Sequence, residues 1–165
     1  MVTFREAVVT DDSAHALLAE YFAARAASFP PSQGNYVTAL PSPEHFVPPA
    51  GQFLIVEGED LAGEPADVGC GGIRRIDDDP VTGASRFEVK HLWLQPPVRR
   101  LGYGRLLLAE LERRAIALGA RQIVLDTNSS LEAAGGLYRS SGYEEITPYN
   151  DNPNANHWYG KSLTA

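Results

Sequence analysis

Cysteine is almost missing from these 165 residues, and Cys70 stands alone. One cysteine closes no internal disulfide, so the fold must rest on packing, and the chain suits a reducing, cytoplasmic setting. No apolar run approaches the ~20 residues that a membrane-spanning helix needs. The first ten residues carry Arg5 and Glu6 and no long apolar core, so a secretory signal is not expected there. Positive charge is scarce too, with 14 Lys and Arg against 21 Asp and Glu for a net charge of −7. That balance disfavours nucleic-acid binding by phosphate neutralisation and favours cationic partners, amines among them. A metal site is not expected, because His15, His45, His91 and His157 lie far apart and show no ligand spacing.

What is present suits one α/β domain over residues 1–165, with 44% hydrophobic residues and 15 glycines. Val2 to Val8 reads as a strand, Asp11, Asp12 and Ser13 offer N-caps, and Ala14, Leu17, Leu18, Tyr21 and Phe22 form a helical stripe. A proline-rich connection runs from Phe29 to Gly51, where Pro30, Pro31, Pro41, Pro43, Pro48 and Pro49 oppose continuous helix or central strand. Phe53 to Glu57 and Ala66 to Ile76 pattern as a hairpin, and Phe87 to Leu94 as an apolar strand. Gly104, Leu107, Leu108, Leu111, Ala115 and Leu118 give a second helix, which Gly119 ends. Arg121 to Asp126 reads as a strand. Ser129 with Glu132 reads as a capping box for a helix from Leu131 to Ser141, stopped by Gly142. Tyr143 to Ile146 and Asn156 to Leu163 pattern as a last strand pair.

The most informative stretch is Arg99-Arg100-Leu101-Gly102-Tyr103-Gly104, set between the apolar strand and the second helix. The first N–H groups of a helix lack internal partners and the helix dipole adds positive charge there. Glycines admit a phosphate close to the backbone, and arginines add charge, so a pyrophosphate is expected on this loop. The loop lacks the Gly-Lys-Ser/Thr ending of a P-loop, and Leu107 breaks the Gly-x-Gly-x-x-Gly dinucleotide pattern.

Arg-x-x-Gly-x-Gly, followed by Leu125-Asp126-Thr127-Asn128 and Leu137-Tyr138-Arg139-Ser140-Ser141-Gly142-Tyr143, resembles the GCN5-related N-acetyltransferase (GNAT) superfamily. The resemblance is strong over 87–143, fair over 53–76 and loose before that; many members carry Gly where Arg100 stands. It implies a mixed, mostly antiparallel central sheet flanked by helices and splayed at the cofactor site. It also implies acetyl-CoA as acyl donor, held by Arg99, Arg100, Leu101, Gly102, Tyr103 and Gly104. Leu92, Trp93 and Leu94 fall where the family's strand pairs with the pantetheine arm through its backbone, and Asn128 at a position near the pantetheine or adenosine part. Homodimers are common among its members.

Transfer from a thioester to an amine expels a thiolate, which a positioned phenol can protonate. Tyr138 matches the family tyrosine that points at the thiol, and its helix face equally suits a core tyrosine. An ammonium must lose a proton before it attacks. Glu88 is the candidate base, matching the glutamate of the histone-acetylating branch, and a strand ion pair with Lys90 is the other reading. His91 and His157 are weaker candidates, and nothing near Cys70 would lower its pKa. The loop from Tyr149 to Asn154, with His157 and Trp158, resembles a bacterial subgroup ending in Asn-Pro-x-Ala-x-x-Trp and would wall the acceptor pocket, or simply form a polar hairpin with a buried Trp158. The expected activity is direct acetyl transfer to a primary amine of a small molecule or amino acid. A peptide or protein acetylase and a non-catalytic acyl-CoA-binding module stay open at this point.

Overall fold

A computed structural model describes residues 1–163. Its strands are β1 (Thr3–Ala7), β2 (Gly51–Glu59), β3 (Pro65–Ile76), β4 (Arg86–Leu94), β5 (Gln122–Thr127), β6 (Glu144–Glu145) and β7 (His157–Ser162), and its helices α1 (Asp12–Ser28), α2 (Tyr103–Ala117) and α3 (Glu132–Ser140). The strands form one open sheet in the order β1-β2-β3-β4-β5-β7-β6. Every neighbouring pair is antiparallel except β4 with β5. This is the mixed, mostly antiparallel architecture expected.

Helices cover both faces, so strand residues pointing either way are buried. Phe53 and Ile55 of β2 pack with Leu17, Leu18 and Phe22 of α1 on one side. Their alternate neighbours Leu54 and Val56 join Leu107, Leu108 and Leu111 of α2 on the other. Gly72 of β3 is required for this fit, because a Cβ there would stand 2.8 Å from the Phe46 ring.

Both glycine stops form. Gly119 (φ 99°) and Gly142 (φ 92°) are left-handed, and Ala120 N–H donates to Ala115 O at 2.9 Å and Tyr143 N–H to Tyr138 O at 3.1 Å. Of the expected N-caps, Asp11 takes the N-cap position of α1 but makes no side-chain capping bond, since its carboxylate instead accepts the Val8 N–H at 3.0 Å. The Ser129–Glu132 capping box is absent: Leu131 is the N-cap, and Ser129 Oγ accepts Asn156 Nδ2 at 2.9 Å. A partner from β7's approach out-competes the local one.

Two departures from regular pairing create the site. In β4 both His91 and Leu92 stand opposite Gly71, between the pairs Cys70↔Trp93 and Gly72↔Lys90. This is a β-bulge, and it carries His91 at φ 57°. The parallel pairing of β4 with β5 then covers only Arg86↔Gln122 to Glu88↔Val124. Beyond it β5 stays with β7 while β4 stays with β3, and the sheet parts between them.

Candidate active site

The parting leaves the edge of β4 from Lys90 to Leu94 without a strand partner on the β5 side. Its backbone groups face a cleft of about 1150 Å³. Drug-sized ligands occupy roughly 300–1,000 Å³, so this cleft has room for an extended ligand or for two ligands end to end. β4, the N-terminus of α2, α3, α1 and the loops around Tyr36 and Asn152 line it.

At one end stands the basic glycine loop. Arg100 (φ 67°) and Gly102 (φ 84°) are both left-handed, and Gly102 is the N-cap of α2 with no side-chain cap. The first helical bond runs from Leu106 N–H to Gly102 O at 3.2 Å. The amides of Tyr103, Gly104 and Arg105 therefore precede the hydrogen-bond ladder. Arg99, Arg100, Gly102, Gly104 and Arg105 line the cleft. Arg99 is braced on β4, donating from Nε to Leu94 O at 2.9 Å, with Cζ 4.8 Å from the Trp93 ring. Leu101 is 60% exposed, and the Tyr103 ring packs toward Val68 and Gly58 in the core. Neither side chain lines the cleft, so these two residues can offer it only backbone. Leu92 and Leu94 pack on the α2 core and Trp93 against the α1 side, where its Nε1 donates to Glu20 at 3.2 Å.

Tyr138 of α3 also lines the cleft. Its ring lies 6.1 Å from Tyr143 and 6.0 Å from Tyr159, and its hydroxyl has no hydrogen-bond partner among the described residues. Burial pushes the phenol pKa well above its usual value, the charges of Tyr21 and Asp126 add to this, and Arg25 opposes it. Such a phenol stays protonated at neutral pH and is a proton donor in waiting.

Glu88 is placed elsewhere. It is fully buried and does not line the cleft. Oε1 accepts Arg74 Nε at 2.9 Å, while Oε2 accepts the Tyr149 hydroxyl at 2.6 Å and Asn150 Nδ2 at 3.5 Å; Lys90 Nζ is 3.4 Å away. Asn128 is buried as well, and outside the cleft. Its Nδ2 donates to Gln33 Oε1 at 2.7 Å and Asn154 O at 3.1 Å, while Oδ1 accepts Ser130 N–H at 3.0 Å. It braces the loops, as a turn asparagine does.

Two carboxylates do line the cleft, the exposed Glu132 and the half-buried Asp126. Asp126 accepts Asn150 Nδ2 at 2.7 Å and faces Lys90 Nζ at 3.4 Å. Asn150 is held in turn by Trp158 Nε1 at 2.9 Å. Asn150, Asn152, Asn154 and Ala155 of this segment line the cleft, while Tyr149 turns to the buried Glu88. His91 is enclosed by Tyr21, Phe22 and Phe46. Burial, with help from Lys90 and Arg74, drops its pKa to about 3, so it is neutral near pH 7. Cys70 is buried, its thiol donates to His91 O at 3.4 Å, and burial pushes its pKa up, which leaves it a poor nucleophile.

Sequence reasoning missed Asp126 and Arg25 as cleft residues. Arg25 had a signal: it continues the stripe Leu18, Tyr21, Phe22 at helical spacing, a charge on an otherwise apolar face.

Comparison with known proteins agrees with this geometry. The sequence pattern of the acetyltransferase (GNAT) family matches residues 14–143. An uncharacterized N-acetyltransferase of Schizosaccharomyces pombe is 33% identical over 106 residues, which is 64% of this chain and 60% of that protein's length. An acetyltransferase of the GNAT family from Staphylococcus aureus superposes with a TM-score of 0.73 at 18% identity, covering 99% of this chain and 100% of the other. A phosphinothricin acetyltransferase from Sinorhizobium meliloti, solved with acetyl-CoA, superposes with a TM-score of 0.62 at 20% identity, covering 98% and 88%. On the family match, and with a fold shared at these levels, the chain belongs to the acetyltransferase (GNAT) family.

Proposed function

We propose that this chain is an acetyl-CoA-dependent N-acetyltransferase that passes the acetyl group directly to a primary amine of a small molecule, in the cytoplasm. The observation that carries the reading is the continuity of three features in one cleft: an uncapped helix N-terminus flanked by arginines, an unpaired strand edge, and a buried phenol. These residues fit the donor. The amides at Gly104 and Arg105, with Arg99 and Arg100, suit a pyrophosphate. The edge from Lys90 to Leu94 suits an amide-bearing arm that lies along it like an added strand. When bound, the donor supplies a thioester.

The chain's own residues do the rest. The bulged edge around Leu92 to Leu94 offers backbone N–H groups to an oxyanion. Tyr138 holds a proton for the departing sulfur. With donor and amine bound, an N–C bond would form as the C–S bond broke; Tyr138 would give its proton to the departing sulfur and regain one from the acylated amine nitrogen through cleft water, the other amine proton leaving to solvent. Glu88 positions rather than abstracts, because its oxygens are committed to Arg74 and Tyr149. Asp126 is a carboxylate within reach of an ammonium.

A small acceptor is favoured over a peptide by the roof of the far end. Val37 N–H donates to Asn154 Oδ1 at 2.9 Å, and Asn154 Nδ2 returns a bond to Val37 O at 2.7 Å. This double tie closes the 29–51 connection onto the 149–155 loop. CoA release across amines, amino acids, polyamines and lysine peptides tests the reading. Release with one small-amine class supports it, and release with lysine peptides alone overturns the choice of acceptor. Acetyl-CoA binding with no release on any amine overturns the enzyme.

A further inference from the structure

Resting on the transferase reading above, we propose that the acceptor is an amine that also carries a carboxylate, an amino acid in the simplest case, and that Arg25 of α1 receives that carboxylate.

Arg25 is 9% exposed and lines the cleft, and its Nη1 is buried without a hydrogen-bond partner. No carboxylate among the described residues pairs with it. Its neighbours are aromatic. The guanidinium carbon lies 5.2 Å from the Tyr36 ring centroid, and Arg25 acts on the Tyr21 and Tyr36 phenols by its charge and by hydrogen bonding, neither of which supplies an anion. Buried charges in native proteins are normally paired, and arginine cannot shed its proton to escape. An unmatched guanidinium facing a cavity is therefore a request for an anion from outside.

The other charges of the cleft do not answer it. Asp126 is already matched by Lys90 and Asn150, and Glu132 is solvent-exposed in the first turn of α3 and makes no ion pair with Arg25, so Arg25 is the buried cation without an anion. Arg99 and Arg100 belong to the opposite end, at the start of α2. Arg25, Asp126 and Tyr138 all line the same cleft, so the cation, the anion and the proton donor face one space. An amino acid presents an ammonium to Asp126 and a carboxylate to Arg25, and the planar fork of arginine suits a carboxylate. The Tyr36–Val37 roof, tied to Asn154, limits the acceptor's size.

The test takes each L-amino acid with its carboxamide and its decarboxylated amine. Binding to the CoA-loaded protein is measured by calorimetry alongside CoA release, for wild type, Arg25→Gln and Arg25→Lys. The expected result is an amino acid that binds about 10- to 100-fold tighter than its carboxamide, the range that hydrogen bonds to charged groups allow. Arg25→Gln abolishes that ratio and Arg25→Lys restores part of it, while acetyl-CoA affinity is unchanged in both. Because no carboxylate pairs with Arg25 and Gln can still hydrogen-bond the Tyr21 and Tyr36 phenols, Arg25→Gln should melt close to wild type, and parallel melts separate a loss of binding from a loss of fold. Equal binding of acid and amide, or a preference that survives Arg25→Gln, overturns the proposal. Selective binding without CoA release supports the anion site and counts against the transferase. Release on amides as readily as acids does the reverse. Neither binding nor release on any probe overturns both.

Discussion

A buried phenol with no hydrogen-bond partner adds little to folding that Phe would not, so Tyr138→Phe should shift the melting temperature by no more than about 2 °C. Loss of a general acid should nevertheless slow CoA release by about 100-fold or more at saturating substrates. Parallel melts and steady-state kinetics separate the two effects. Glu88 should behave in the opposite way. Glu88→Ala strands Arg74 beside the Tyr149 hydroxyl; taking the low end of the usual penalty, because Arg74 is 34% exposed, the cost is about 3 kcal/mol, or roughly 6–12 °C. Glu88→Gln should leave the acidic limb of the kcat/KM pH profile where it was, and disappearance of that limb would make Glu88 the base after all. His91 sets a stability term with a definite sign. Its pKa falls to about 3 in the fold from 6.5 in the free residue, so its contribution is complete above about pH 6.5. It is lost as the pH drops toward 3, at up to about 1.4 kcal/mol per unit. In His91→Asn, chosen because Asn tolerates positive φ, denaturant melts between pH 6.5 and 4 should show a shallower decline.

At the scale of elements, the α2 entrance depends on Gly102, whose φ of 84° a β-branched residue resists. Gly102→Val should weaken acetyl-CoA binding about tenfold by calorimetry, with the helix itself retained. The roof depends on Asn154. Asn154→Ala removes both bonds to Val37 and should speed amide exchange at Val37 while raising KM for the acceptor more than for acetyl-CoA. Local signals foretold most of this level. The stripe from Leu107 to Ala115, the glycine stops at 119 and 142 and the loop from Arg99 to Gly104 were all legible, because period and turn chemistry act within a few residues. The capping box failed where a distant partner intervened: Asn156 takes Ser129, 27 residues away. Glu88 reads equally as a base or as an ion-paired strand carboxylate; its ion pairs with Arg74 and Lys90 follow the second reading, while its partner Tyr149, 61 positions later, lies beyond any spacing argument.

Across the whole molecule, the cleft exists because one parallel pair is cut short in an otherwise antiparallel sheet. No periodicity announces that. Strands 4 and 5 each pattern as ordinary buried strands, and it is the bulge at His91 and the loyalty of β5 to β7 that part them. The same parting should place the donor along β4, with its phosphates at α2. Hydrogen exchange read amide by amide, with and without acetyl-CoA, tests that arrangement most directly. Protection concentrated at the Lys90–Leu94 edge and at Gly104 and Arg105, and requiring about tenfold more acetyl-CoA in Gly102→Val, is the expected result. Unchanged exchange at those amides under saturating acetyl-CoA would contradict it.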